Sequence, residues 1–183
     1  MYKLCKTEQS ALRQRELEYG LMDAMLARNY EDISISDLCD HLSIPRKSFY
    51  RYFSSKDGAF HALLDHTLQE CGAQIPVDSD ASLYFEQYFQ FWLSRKKLLD
   101  ALERSGLSGK LVERTISGAL DDQMFSSHLL KKFPDLNRHY TALFLISGLM
   151  ALVIQWHHSG CKESPREMAQ TVCHLLTEPL YSK

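Results

Sequence analysis

The sequence predicts an all-α protein with two helical domains, and three observations carry this prediction. Proline is scarce, with 5 in 183 residues, and apolar residues recur at the three- and four-residue spacing of helices. No run of alternating apolar and polar residues bounded by turn residues indicates a strand. Helix-capping patterns recur along the chain, and residues 72–80 interrupt the helical pattern, which predicts a domain boundary there.

Composition indicates folded domains with cores. The chain is 45% hydrophobic, its charges are mixed in sign and its formal net charge is −2. The first twenty residues contain no apolar stretch of the secretory type, so we expect a cytoplasmic protein. The longest apolar run, residues 142–156, is shorter than the roughly 18 residues of a membrane span and predicts a buried helix. Five widely spaced cysteines without a CxxC pair indicate reduced thiols.

The first half of the chain predicts four helices. The first covers about residues 10–28, and Asn29 is expected to close it in a left-handed conformation. Ser34 and Asp37 form a capping-box pattern that opens a short helix to about residue 42. Pro45 suits the first turn of a second short helix. The segment 54–57 repeats the Ser-x-x-Asp pattern and opens a helix to about residue 71.

The second half predicts longer helices. Residues 81–104 are expected to form one aromatic-rich helix, shorter helices cover residues 108–132, and residues 137–159 form a long apolar helix. Ser164, Pro165 and Glu167 combine an N-cap, a first-position proline and a capping acid, which predicts a final helix to about residue 177.

One short segment, SIPRKSFYRYFSSK at residues 43–56, carries four cations and no acid. On a helix, Phe49 and Phe53 share one face, and Lys47, Ser48 and Arg51 lie opposite. Two short helices joined by a tight turn over a small shared core are typical of a helix-turn-helix, whose second helix enters the major groove of DNA. Arg and Lys can bind guanine edges there, and hydroxyl groups can hold phosphates. The alternative is a solvated amphipathic helix with ordinary surface cations.

Lys56 occupies the first turn of the next predicted helix, where the macrodipole disfavours a cation. A phosphate docked at that helix end would account for it. The alternative is that the helix simply tolerates one exposed lysine in its first turn.

Residues 30–62 closely resemble the DNA-binding domain of TetR-family transcriptional regulators, above all in SFYRYF followed by SKD. The family often has glycine where this chain has Ser43 and Asn29, and both residues can serve in such turns. The resemblance implies a DNA-binding domain at residues 1–72 and a dimerisation and effector domain at residues 73–183. It implies a core role for Phe49 and Phe53. It also implies that the following residues bind double-stranded DNA: Ser36 from the first helix of the motif, Arg46 and Lys47 at base edges, Ser48, Tyr50 and Tyr52 at the backbone, and Lys56 at a phosphate.

The last two helices look like the dimer interface of that family. Ser147, Gly148 and Ala151 are small enough to let another helix approach closely, and Gln155 and Val172 are the further interface candidates. The same pattern in a monomer would be ordinary core. A two-fold dimer of a helix-turn-helix protein should read a palindromic operator.

Aromatic residues crowd the helix after the predicted boundary. Tyr84, Tyr88, Phe89 and Trp92 are candidates for a pocket that binds an apolar or aromatic small-molecule effector. The alternatives are core packing, and regulation by a protein partner without a small inducer.

The sequence therefore predicts a transcriptional regulator, in the first instance a homodimeric repressor that responds to a small-molecule effector or a protein partner. The alternative is a TetR-like coactivator that acts mainly by recruiting a protein partner. No cofactor or metal is expected, because His157, His158 and Cys161 read as incidental. An enzyme is not expected, because no acid pair or nucleophile–base set stands out.

Overall fold

The computed structural model describes residues 2–75, 80–121 and 137–177, and within these ranges the regular secondary structure is helical apart from one isolated β-bridge. The all-α prediction is confirmed. The helices are α1 Glu8–Ala27, α2 Ile35–His41, α3 Arg46–Tyr52, α4 Lys56–Gln74, α5 Ala81–Ser94, α6 Lys96–Arg104, α7 Ser108–Asp121, α8 Arg138–His158 and α9 Pro165–Thr177, with a 3-10 turn at Tyr30–Asp32.

The chain divides into two compact units. The first comprises residues up to 68 together with residues 97–111, and the second comprises residues 69–96 together with those from 112 onward. The C-terminal end of α6 belongs to the first unit through two hydrogen bonds: Arg104 Nη2 donates to Ala27 O at 3.1 Å, and the Tyr30 amide donates to Ser105 Oγ at 3.2 Å. The boundary at residue 72 that the sequence suggests remains a prediction about functional domains.

The core of the first unit draws on α1, α2, α3 and α4. Each of these helices buries apolar side chains at helical spacing, and short helices gain most of their stability from such packing. The larger side chains of these four helices and of the residue after α3 that have no solvent exposure include those of Leu21, Met25, Leu38, Phe49, Phe53, Leu63 and Leu64.

The turn between α2 and α3 is left-handed at Ser43, which has φ of 53°. Ser34 and Asp37 form the predicted capping box at the start of α2. At its end, the Ser43 amide donates to Asp40 O at 3.1 Å and the Ile44 amide donates to Cys39 O at 2.9 Å. The positive φ explains why relatives often use glycine here. Ser43 therefore serves in the turn as expected.

The prediction that Asn29 closes α1 in a left-handed conformation is wrong. Asn29 has φ of −64° and ψ of 144°, and Arg28 is also extended. The extended exit leads directly into the 3-10 turn, whose first amide, that of Tyr30, is bonded to Ser105. A tertiary contact thus sets the direction of the chain at this point.

The cap of α4 lies one residue later than predicted. Ser55 Oγ, not Ser54 Oγ, accepts the Gly58 amide at 3.0 Å, and α4 continues to residue 74 rather than 71. α2 and α9 match their predicted ends within a residue, and Ser164 and Glu167 form the expected reciprocal bonds at the start of α9.

The single helix predicted for residues 81–104 is interrupted at Arg95, so α5 and α6 are separate. Arg95 Nη2 forms an ion pair with Glu70 Oε2 of α4 at 3.0 Å, and its guanidinium lies 4.9 Å from the Phe91 ring centroid. Ser94 Oγ donates to Phe91 O at 2.6 Å. No proline or glycine marks this break, which coincides with contacts to α4.

The second unit is built around α5. This helix packs against α9, and the Phe89 ring centroid lies 5.6 Å from that of Trp156 on α8. Trp156 Nε1 donates to Glu163 O at 3.0 Å, which ties the end of α8 to the turn before α9. α8 is long and apolar enough to cross a membrane by length and composition, but 39% of that span is buried within the fold. The helix that the sequence predicts to be buried is thus buried on one face, with Leu149, Met150 and Val153 almost completely enclosed. The part of the predicted helical stretch from 122 to 132 lies outside the described residues.

A fully buried acid links α1 to α4 in the first unit. Glu18 has no solvent exposure and pairs with Arg15 Nη1 and with His66 Nδ1, whose distance from Glu18 Oε1 is 2.9 Å. The same helix carries an equally spaced pair, Arg13–Glu16, at its exposed surface. Removing one member of a buried ion pair is far more costly than removing one member of an exposed pair.

We therefore expect Glu18→Ala to lower the free energy of unfolding by about 2–4 kcal/mol. The matched control, Glu16→Ala, should change it by less than about 0.5 kcal/mol, because that pair is screened by solvent. Urea denaturation followed by circular dichroism measures both values. Equal, small effects would show that Glu18 is not a structural link.

Candidate nucleic-acid interface

Helix α3 is oriented by its inward face. Phe49 and Phe53 have no solvent exposure, and their ring centroids are 5.3 Å apart. Both residues lie in the core as predicted. Because these rings are one helical turn apart, the residues on the other side of α3 face away from the core.

The outward face of α3 is basic. Arg46, Lys47, Tyr50 and Arg51 are exposed, with 49% of the Tyr50 side chain accessible, and α3 contains no acid. Arg46 Nη2 donates to Ser36 Oγ in the first turn of α2. The structure thus brings together Ser36 and Arg46, two of the residues that the sequence predicts to bind DNA.

Two other predicted DNA contacts are more enclosed. Ser48 is half-buried and only 8% of the Tyr52 side chain is exposed. Both line an open groove of about 560 Å³ that also includes Arg13 of α1 and Arg51 of α3. The groove thus places Ser48 and Tyr52 near two arginines. Their contact with the DNA backbone stays a prediction.

Lys56 already has partners within the chain. Its Nζ donates to Tyr30 O at 2.6 Å and lies 4.2 Å from the centroid of the Tyr30 ring, a cation–π arrangement. The Tyr30 hydroxyl donates to Asp57 Oδ1 at 2.5 Å, and burial together with this bond raises the pKa of Tyr30. These contacts explain why a cation is tolerated at the start of α4. The proposed phosphate contact of Lys56 stays a prediction.

Sequence reasoning missed Arg13. It lines the groove beside Ser48 and Tyr52, although it lies about 35 residues earlier in the chain. No local pattern marks it, because its position depends on how α1 crosses the helix-turn-helix.

The predicted dimer residues divide between the surface and the interior of the second unit. Gly148, Ala151 and Gln155 are exposed on α8, and Ser147 is half-buried. Tyr140 and Phe144 lie on the same face, two turns and one turn before Gly148, and are 69% and 75% exposed. Val172 on α9 is 5% exposed and packs inside the single chain, whereas Leu175 on the same helix is 55% exposed.

The predicted effector residues lie in the core of the second unit. Phe89 and Trp92 have no solvent exposure, Tyr88 has 3% and Tyr84 is half-buried. Burial raises the pKa of both tyrosines, and it raises the pKa of the Cys71 thiol beside them to about 12.

One polar atom in this cluster is poorly satisfied. Trp92 Nε1 has no hydrogen bond of normal geometry among the described residues. The Trp92 and Tyr88 rings are neighbours, with centroids 6.4 Å apart. Burial raises the pKa of Tyr88, and the nearby indole N–H of Trp92 partly offsets that rise. A buried donor without a good acceptor is costly unless another group supplies one.

Two sequence profiles match the chain. Residues 22–63 match the bacterial regulatory proteins of the TetR family, and residues 79–178, more than half of the chain, match a transcriptional regulator C-terminal region. A comparison with curated proteins found no match.

Solved structures of regulators have a similar fold. The fatty acid degradation regulator FadR from Bacillus halodurans has a TM-score of 0.64 at 13% identity, covering 98% of this chain and 100% of its own. A TetR-family transcriptional regulator from Streptomyces coelicolor has a TM-score of 0.60 at 18% identity, covering 90% of this chain and 78% of its own. The dihydroxyacetone kinase operon activator DhaS has a TM-score of 0.54 at 16% identity, covering 91% of this chain and 94% of its own. With both profiles, the helix-turn-helix geometry and these folds in agreement, the chain belongs to the TetR family of DNA-binding transcriptional regulators.

Proposed function

We propose that this regulator is a cytoplasmic homodimer that represses transcription by binding a palindromic operator. A ligand or partner that binds the second unit would release it. The observation that carries the proposal is the contrast between the two faces of α3, with buried Phe49 and Phe53 on one side and exposed cations on the other.

The DNA-reading part of the proposal assigns roles by exposure. Arg46 and Lys47 stand at the exposed start of α3, where side chains of a recognition helix reach base edges. Tyr50 is exposed further along the helix and would hold a phosphate. Ser36 would approach the DNA together with Arg46, to which it is hydrogen-bonded. Ser48, Tyr52 and Lys56 would also contact phosphates, although their side chains are less exposed than that of Tyr50.

The dimer part is supported by an exposed stripe on α8. Tyr140, Phe144, Gly148, Ala151 and Gln155 follow each other at spacings of three and four residues, so they share one helical face. Large apolar side chains rarely remain so exposed on a helix unless another surface covers them, and the small residues would allow close approach of a second α8. On α9, Leu175 rather than Val172 would contact the second chain, because Val172 is buried within its own chain.

The regulatory part concerns the aromatic cluster on α5. Trp92 Nε1 and the Tyr88 hydroxyl are interior polar groups among apolar rings. They would suit an effector that combines an apolar or aromatic body with a hydrogen-bond acceptor. Because the cluster is closely packed, such an effector would have to stabilise one conformation of the second unit over another.

A second candidate is a coactivator that acts by recruiting a protein partner. The complete burial of Phe89 and Trp92 favours it, since these side chains already serve as core. A similar fold is also found in a protein described as an operon activator.

Selection of bound sequences from a random DNA pool tests the DNA-reading part. The wild-type protein should enrich a palindrome. Lys47→Ala should change the preferred bases, with a loss of about 1–3 kcal/mol on the wild-type operator. Tyr50→Ala should weaken binding to all sequences alike. Lys162→Ala, outside the first unit, is the control and should leave the motif unchanged. Folded, dimeric protein that enriches no sequence would contradict the repressor proposal.

Light scattering at micromolar concentration tests the dimer. The wild type should have a mass near two chains. Ala151→Glu should lower it towards one chain, because a charge would be placed in a desolvated contact. The control Gln90→Glu adds the same charge at an exposed position of α5 and should leave the mass unchanged. A monomeric wild type would contradict the proposal.

Thermal denaturation with a library of metabolites tests the effector. A true effector at about 100-fold its Kd should raise the melting temperature by roughly 5–10 °C and should weaken operator binding. Trp92→Phe keeps the ring but removes the N–H donor, so it should reduce the shift. If no compound raises the melting temperature, the partner-recruiting candidate is favoured.

A further inference from the structure

The segment before α1, residues 2–6, is held against the end of the recognition helix. Tyr2 forms an antiparallel β-bridge with Phe53, and the Lys3 amide donates to Tyr52 O at 3.0 Å. On the other side, the Tyr2 hydroxyl donates to Asp65 Oδ2 of α4 at 2.9 Å, and its ring meets the His66 ring edge-on at 5.5 Å. We call residues 2–6 the lead segment. Its backbone is therefore bound to the end of α3, and the Tyr2 side chain is bound to α4.

This attachment determines where the cations of the lead segment lie. Successive side chains of an extended segment point to opposite sides. While Tyr2 faces α4, Lys3 reaches the last turn of α3, where its Nζ lies 3.4 Å from Tyr50 O. Tyr50 is the exposed tyrosine of the DNA-facing surface. Cys5 Sγ then donates to Gln14 Oε1 at 2.8 Å, which turns the segment back towards α1.

The lead segment carries two exposed cations, Lys3 and Lys6, and no acid. The acids near it are Asp65, which accepts the Tyr2 hydroxyl, Glu8 in the first turn of α1, and the buried Glu18, which is paired with Arg15 and His66. Lys3, at Tyr50 O, adds a cation beside Arg46, Lys47 and Arg51, in a chain whose net charge is −2. Lys6 is the exposed cation that follows three residues later, just before α1. Clustered exposed cations beside a DNA-reading helix are suited to phosphate contacts.

We propose that the lead segment is a second DNA-binding element, in which Lys3 and Lys6 contact backbone phosphates next to those held by α3. The inference rests on the proposed DNA-reading role of α3. Such contacts strengthen binding to all sequences and position the protein without selecting bases. A purely structural role for Lys3 predicts something different: its ammonium group would only satisfy a carbonyl at the C-terminal end of α3.

The experiment measures operator affinity as a function of salt concentration for Lys3→Gln, Lys6→Gln and the double variant. Glutamine removes the charge of Lys3 but retains an N–H donor for Tyr50 O. Each single variant should raise the Kd several-fold on operator and random DNA alike. Each should also reduce the slope of log K against log salt by about one, and the double variant by about two. The melting temperature should not change. Lys162→Gln, with the same loss of charge, should leave the slope unchanged.

Tyr2→Ala provides a second test, because it removes no charge. It should release the lead segment from Asp65 and His66, and so lower the affinity and the salt slope although both lysines remain. Its melting temperature is measured in parallel.

Two results would overturn the inference. In the first, the lysine variants bind with the wild-type slope while wild-type protein binds its operator normally. In the second, they lower only the melting temperature, which assigns Lys3 to helix capping. If wild-type protein shows no salt-dependent DNA binding, the proposed function fails and the inference fails with it.

Discussion

The burial of Phe49 and Phe53 is the interaction on which the orientation of the basic outward face of α3 depends. α3 has only seven residues, and a helix of that length is not stable in water by itself. It persists because Phe49 within it and Phe53 directly after it are fully buried in the core of the first unit. Since the rings determine the rotation of α3, they also determine that Lys47 and Tyr50 face solvent. Loss of either ring would displace every proposed contact together.

Charged residues in the first unit serve structure as well as binding. Glu18 is a fully buried acid held by Arg15 and His66, and Lys56 is held by the carbonyl and ring of Tyr30. The Glu18–His66 and Lys56–Tyr30 contacts are long-range in sequence, and they connect α1, the 3-10 turn and α4 around the helix-turn-helix. Exposed charges, such as those of Lys47 and Arg51 on α3, are the ones proposed to interact with DNA. Exposure, rather than charge alone, separates the two groups.

The second unit has an α8 with two different faces. One face packs inside, with Met150, Val153 and Trp156 almost completely buried. The other presents Tyr140 and Phe144 to solvent, next to small residues. A single helix can thus supply the core of one chain and, as proposed, a contact for a second chain. The aromatic cluster of α5 lies inside the same unit, so an effector bound there would act on the helices that carry the proposed interface.

The sequence by itself determined the features that arise within one helical turn. These are the capping boxes at Ser34 and Ser164, the spacing of Phe49 and Phe53, and most helix ends. Only the tertiary structure decided the break at Arg95, the extended conformation of Asn29, the burial of Tyr52 and the partners of Lys56. Three of these involve a contact between groups distant in sequence: Arg95 pairs with Glu70, Lys56 binds Tyr30, and the chain after Asn29 is held by Ser105. Local patterns carry no information about such contacts, because they form only when the helices pack.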